Sequence, residues 1–518
     1  MDTESVRPAV TELRLSAFKS HRGATFPLGP LTLLTGASGS GKSSVLQAYE
    51  ILARLGSGAR LARAVAAAPG GAAGCVPAWA RPDGQGRRGF RIGCTVDGPV
   101  GPVRLDVAVQ AEPELRIVGE RLTGGGETLL STALTDPARR AVQAAWYTAG
   151  STPVTRAPLP DDRLGTALLP LRVAGKTAGQ RLVLAAAEQV VVALRSVFAC
   201  DPRPEVMRGA GPGGGSGAGG EAGGSGPRGA TRRSSGSGPG VTVGARVPGA
   251  RAGRAGREAA GGAAGAHDPY GPGESGAQGG PGGQGAATDP GGAAGTRGAG
   301  GPHGASDPSG APRPPARTEA GTPEGFAVAS GGDGMADDGS TFGGSWGWSA
   351  GDGRLRSACD NLPAVLGRTS RECARRHAVL VEAVRDGCVG PVAGLRAEPV
   401  QRGGTVGMRA LVERGELPAT PLEQLGDGEL RYVALALVLL TGPEVLAMDP
   451  AGEVLSARQV LGLMADGMDR SLDDRQARAL LELAVRMVGR GHIRLLGTVR
   501  DASAAAGLSE VRVLHLGV

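Results

Sequence analysis

A chain of 518 residues with 92 glycines, 37 prolines and only fourteen aromatic side chains cannot pack all of itself into cores, so part of its length is expected to be linker. Its formal net charge of +7 suits an anionic partner, with DNA a candidate, but lysine is confined to Lys19, Lys42 and Lys176 while arginine abounds, which is the imprint of a GC-rich coding sequence. The longest apolar stretch, Tyr432 to Leu440, is too short for a bilayer, the N-terminus is polar and the six cysteines form no C-x-x-C pair, so membrane, exported and zinc-binding classes are excluded and a cytoplasmic protein with reduced thiols is expected.

Leu13, Leu15 and Phe18 alternate with polar neighbours, and Gly29-Pro30 then turns the chain into a strand over Leu31 to Leu34. The run that follows, Gly36, Ala37, Ser38, Gly39, Ser40, Gly41, Lys42, Ser43 and Ser44, matches G-x-x-x-x-G-K-[ST], a phosphate-binding loop. Its glycines let backbone N–H groups turn inward toward phosphate oxygens at the positive end of the next helix. Lys42 is placed to reach the β- and γ-phosphates of ATP and Ser43 to offer its hydroxyl to Mg²⁺. Val45, Leu46, Tyr49, Leu52 and Leu55 continue at helical spacing until Gly56-Ser57-Gly58.

After an uninformative stretch up to about Gly86, short alternating runs at Phe90 to Val96, Val103 to Val109 and Leu115 to Val118 indicate an antiparallel β-subdomain. Apolar spacing predicts a helix between Gln180 and Phe198, stopped by Asp201-Pro202-Arg203-Pro204. From Arg208 to Ala350 glycine, alanine, proline and serine replace large apolar residues, and such a composition cannot offset its ordering entropy, so the segment reads as a disordered insertion. Phe342, Trp346 and Trp348 near its end are expected to anchor it to the folded body. Order resumes near Leu355, with helices over Leu362 to Leu366 and Ser370 to Val384 and a β-like pair around Val400 and Val406 to Val412.

Leu425-Gly426-Asp427-Gly428-Glu429-Leu430-Arg431 opens a strongly apolar helix, and a helix start of this kind aims N–H groups at whatever lies in front, so Gly426, Asp427 and Gly428 are candidate phosphate contacts. Gly442-Pro443 leads into Val445-Leu446-Ala447-Met448-Asp449, which reads either as a Walker B strand with Asp449 as a Mg²⁺ ligand opposite Ser43, or as a buried strand whose aspartate caps the next turn. Ser471 is the expected N-cap of a helix carrying Asp473 and Asp474 in its first turn, and Ile493 to Gly497 and Val511 to Leu516 close the chain as strands.

Both folded segments resemble the RecF/SMC-like branch of ABC-type AAA ATPases. The resemblance lies in Leu13 to Ser20 with Pro27 to Leu31 before the loop, in Leu355-Arg356-Ser357 with Asp360-Asn361-Leu362, and in Leu425 to Arg431 as the signature. It implies an α/β P-loop NTPase with an ABC-type head, an antiparallel β-arm and a short helical lid, split by a long disordered insertion. The implied segments are 1–207 and 351–518 for the two halves of the head and 208–350 for the insertion. It further implies Mg-ATP as ligand and a head-to-tail homodimer in which the signature of one subunit closes over the ATP of another, serving DNA repair or phage defence. The chain departs from that pattern at three places. Gly426 replaces a serine, Pro450 stands where a water-activating glutamate is expected, with Glu453 as the candidate substitute base, and Val499-Arg500 follow Thr498 where a histidine is expected. Slow hydrolysis is therefore the expectation, and a non-catalytic ATP-dependent switch or scaffold is the alternative.

Overall fold

The computed structural model describes residues 7–148, 155–209, 353–402, 405–448 and 459–517. The chain divides into two units, Met1–Ala218 with Gly339–Val518, and Gly219–Asp338, and every described residue belongs to the first. Nearly all of the expected insertion, including Phe342, Trp346 and Trp348, lies outside the described residues, as do Asp449, Pro450 and Glu453.

The first half runs β1 (Ala9–Phe18), β2 (His21–Pro27), β3 (Leu31–Gly36), α1 (Lys42–Gly56), α2 (Leu61–Ala66) and α3 (Gly71–Cys75). It continues with β4 (Arg88–Asp97), β5 (Val103–Glu112), β6 (Arg116–Gly124), β7 (Glu127–Ala133), β8 (Ala141–Trp146) and β9 (Thr155–Pro160), then α4 (Gly165–Leu168), α5 (Ala178–Arg195), β10 (Val197–Cys200) and α6 (Pro204–Met207). The second half comprises α7 (Leu362–Glu372), α8 (Ala374–Gly387), β11 (Gly394–Arg402), β12 (Thr405–Arg414), β13 (Leu417–Pro421) and α9 (Asp427–Leu440). It ends with β14 (Leu461–Ala465), α10 (Asp474–Val488), β15 (Ile493–Thr498) and β16 (Val511–Leu516).

The described residues form three sheets. The eight strands β2-β1-β4-β5-β6-β7-β8-β9 form an antiparallel sheet whose strands alternate, as in β5, where Val103, Leu105, Val107 and Val109 point into the core. Strands β10-β14-β15-β3-β16 form a parallel sheet assembled from both halves of the chain. β3 lies between β15 and β16 in it, and Leu31 to Thr35 are buried without a break, as a strand covered on both faces requires. The third sheet, β11-β12-β13, lies beside α7. One apolar core joins the antiparallel sheet to α1 and α5, and a second joins the parallel sheet to α7, α8, α9 and α10. α9 is buried from Leu430 to Leu440 on every side, so it is a core helix rather than an amphipathic surface one.

Two expectations are corrected. Val445 to Met448 is not a strand: Val445 N–H donates to Gly442 O in a turn, and only Leu446 makes a lone bridge, with Leu355. Gly442-Pro443 folds this segment back on itself, and the sheet position it was expected to fill belongs to β14. Nor is Ser471 the N-cap of α10. It sits at φ +62° outside the helix, and Asp473 caps instead, its carboxylate accepting from Gln476 N at 2.7 Å. Among the described residues no helix is long and apolar enough to cross a membrane.

Candidate phosphate-binding site

β3 ends at Gly36, and the chain loops over residues 36–41 before entering α1 at Lys42. Two glycines here admit no side chain. A Cβ on Gly36 would stand 2.4 Å from Leu516 O on the neighbouring β16, and one on Gly41, at φ +92°, would stand 2.5 Å from His21 Nε2. Gly41 is also the N-cap of α1, with no capping side chain and no acidic residue in the first turn, so the positive end of the helix is left uncompensated at the loop. Lys42 Nζ folds back onto Gly36 O at 2.7 Å and Ala37 O at 3.0 Å, which holds the loop as an arch. Within it the buried Ser40 hydroxyl has no hydrogen-bond partner, an orphan of the kind an anionic oxygen would satisfy.

Ser43 faces a carboxylate, and that carboxylate is Asp466. Its Oγ lies 3.1 Å and 3.0 Å from the two Asp466 oxygens. Asp466 follows β14 directly, and Thr498, the last residue of the adjacent β15, donates from Oγ1 to Asp466 Oδ1 at 2.5 Å while accepting from Gly467 N at 2.7 Å. Parallel pairing of Ala465 with Gly497, and of Thr498 with Leu34 on β3, brings these groups to the carboxyl edge of the sheet, where open α/β sheets bind ligands. The signal for Asp466 was present as an apolar run, Val460 to Ala465, ending in a carboxylate; the glycines at 462 and 467 and the competing run before Asp449 hid it.

The Leu425–Arg431 segment starts α9, as expected from its sequence. Its first turn is braced within the chain. Glu429 Oε2 accepts from Gly426 N at 3.1 Å, and Arg208 bonds Leu425 O at 2.7 Å and Asp427 Oδ1 at 2.6 Å. Gly428 packs so closely on the turn before α10 that a Cβ would meet Ser471 O at 2.2 Å. Arg431, 2% exposed, connects this helix to the Asp466 turn: its guanidinium bonds Gly467 O at 2.9 Å, Asp466 O at 3.3 Å and Pro202 O. Burial, and secondarily the charge of Arg470, pushes Arg431 below the ordinary arginine value. Loop, Ser43, Asp466 and Thr498 thus converge on one site, and Arg431 joins the candidate signature to it through the backbone.

No protein-family model matches the chain, and no curated protein matches it. Among solved structures, an SMC head bound to the C-winged helix domain of ScpA aligns at a TM-score of 0.39 and 10% identity, covering 96% of this chain and 92% of that one. The SMC head domain from Thermotoga maritima aligns at 0.33 and 10% identity over 96% and 91%. An SMC head domain with an extended coiled coil, bound to the C-terminal domain of ScpA derived from Pyrococcus furiosus, aligns at 0.35 and 8% over 96% and 91%. Superpositions this loose carry no weight for fold or function.

Proposed function

We propose that the chain is a nucleotide-binding protein of the ABC-type P-loop class, akin to the RecF/SMC-like branch, which holds Mg-ATP on Gly36 to Ser44 and uses ATP occupancy to close a homodimer. The observation that carries this reading is the contact of Ser43 with Asp466, whose carboxylate Thr498 also bonds, at the mouth of a loop whose backbone donors and Lys42 suit phosphate. Ser43 and Asp466 are hard oxygen donors already in mutual reach, which fits Mg²⁺, an ion that takes a few protein oxygens and shares the rest of its shell with phosphate and water. They are the residues that would hold it, in place of Ser43 with Asp449. Magnesium bound there supplies charge neutralisation across the β- and γ-phosphates.

The chain's own groups hold, orient and exclude. Lys42 and the loop amides fix the phosphates, and Thr498 orients the Asp466 carboxylate. Beyond Asp466 stands Gly467, so no side chain at that position can take a proton from water, and slow turnover or none follows. This favours ATP as a switch over ATP as a fuel. Gly426, Asp427 and Gly428 are assigned to the dimer contact, with closure costing the Gly426 N–H its bond to Glu429.

Binding of Mg-ATP to the full chain, measured by calorimetry together with light scattering for mass, tests the reading. Nucleotide binding abolished by Lys42→Ala, with a doubling of mass on ATP addition to wild type, supports it. Failure of wild type to bind ATP refutes it.

A further inference from the structure

We propose that Arg470 binds the terminal phosphate of the nucleotide held in its own subunit, its guanidinium taking the space beside Gly467 in which a water-activating carboxylate would otherwise stand. The inference rests on the nucleotide-binding reading above and goes beyond it by naming the group that tells a triphosphate from a diphosphate.

The turn after β14 carries the argument. Arg470 N donates to Gly467 O at 3.0 Å, closing Gly467-Met468-Asp469-Arg470 into a tight turn that returns the arginine side chain over the glycine. Gly467 is at φ +60°, and a Cβ built on it would stand 3.0 Å from Arg470 Nε and 3.1 Å from Nη2, so the guanidinium lies against the glycine where a side chain would emerge. That place is one residue past the carboxylate facing Ser43, and Gly467 N is tied to it through Thr498 Oγ1. It therefore borders the end of the site where the outermost phosphate of a ligand on the loop must lie.

The Arg470 guanidinium is also left uncommitted there. Arg431 bonds Gly467 O from the interior while Arg470 covers the same residue from solvent, so two guanidinium groups flank one glycine. Arg470 is exposed, and its guanidinium makes no hydrogen bond or ion pair among the described residues. Neither nearby carboxylate is hydrogen-bonded to it among the described residues, and Asp469 Oδ1 has no hydrogen-bond partner there. Asp466 serves Ser43 and Thr498, and Asp469 turns Oδ2 to the amides of Arg500 at 2.7 Å and Asp501 at 3.1 Å. An arginine fork that is never deprotonated in a protein matches the equatorial oxygens of a phosphoryl group and cannot act as a base, so it retains the triphosphate without activating water.

The test is calorimetric titration of the full chain with Mg-ATP, with a non-hydrolysable ATP analogue and with Mg-ADP, in wild type, Arg470→Ala and Arg470→Lys. Loss of one charge-assisted contact is expected to weaken ATP and analogue about tenfold or more in Arg470→Ala, less in Arg470→Lys, with ADP affinity held within about twofold. Melting of the ligand-free variants should match wild type, since the side chain is exposed and pairs with no described residue. Equal loss for ATP and ADP, or no loss for either, overturns the proposal while leaving nucleotide binding intact. Wild type that binds neither nucleotide overturns the underlying reading instead, and this proposal with it.

Discussion

Replacing Arg431 by methionine should destabilise the fold. The guanidinium is 2% exposed and serves three backbone carbonyls, Gly467 O at 2.9 Å, Asp466 O at 3.3 Å and Pro202 O. Methionine fills much of the volume but leaves Pro202 O and Asp466 O without a donor, while Gly467 O keeps its bond from Arg470 N, at about 1–3 kcal/mol for each buried group left unsatisfied. Removing a buried charge returns part of that, because burial already disfavours the ionised Arg431. The long 3.3 Å bond to Asp466 contributes least and Gly467 O is left partly satisfied, so the strong loss at Pro202 O and the weaker ones at the turn, less the desolvation gain, give about 2 kcal/mol, or roughly one and a half decades in the unfolding equilibrium. Urea denaturation followed by circular dichroism reads this as a lower midpoint at unchanged slope. Lysine should recover only part of the loss, since one ammonium cannot serve both the Pro202 side and the Gly467 side. A midpoint shift worth less than about 0.5 kcal/mol would refute the idea that Arg431 ties α9 to the Asp466 turn.

Gly387→Ala should cost about 1–3 kcal/mol, because its Cβ would fall 2.0 Å from the buried Tyr432 ring; a melting temperature equal to wild type would show that α8 and α9 can separate freely. Glu120 is 3% exposed and accepts from Gly165 N at 2.6 Å, Thr166 N at 2.7 Å and the Thr166 hydroxyl, so Glu120→Ala should cost about 2–4 kcal/mol by orphaning the start of α4, read as a lowered urea midpoint, with Glu120→Gln milder. Five of the six cysteines are buried and only Cys373 is partly exposed, and burial pushes the Cys94 and Cys388 thiols up to about 12. A colorimetric thiol reagent at mild alkaline pH should therefore label about one thiol per native chain and six in urea. Fast labelling of several native thiols would contradict the packing of both cores.

Much of the sheet-forming sequence was readable because the patterns were local. The loop Gly36 to Ser44, β3, α1, β4 to β6, α9 and β15 each announce themselves by an apolar period bounded by glycine, proline or a cap. β10 could not be separated from α5, since Val197 and Phe198 continue the helical spacing of Val190 and Leu194, and only parallel pairing with β14 makes them a strand. β7, β8 and β9 are short and rich in alanine, serine and threonine, and their extension comes from the sheet they join. The site divides in the same way. The phosphate loop is one contiguous motif, whereas the carboxylate facing Ser43 lies 423 residues away, and two apolar runs ending in aspartate competed for that role. Val445 to Met448 is the more continuous apolar run, yet the preceding Gly442-Pro443 turn keeps it out of the sheet, and β14, interrupted by Gly462, takes the place beside β15. Non-local pairing decided between them, and no local period carries that information.

The most direct measurement compares Asp466→Asn with Asp449→Asn for magnesium-dependent ATP binding, with Lys42→Ala as the reference for a lost site. Expected is a wild type whose ATP affinity rises with magnesium, a Lys42→Ala chain that does not bind, an Asp466→Asn chain that keeps weak binding but loses the magnesium dependence, and an Asp449→Asn chain like wild type. Loss of the magnesium effect in Asp449→Asn with Asp466→Asn unchanged would contradict the assignment of Asp466 to Ser43 and, with it, the site built on their contact.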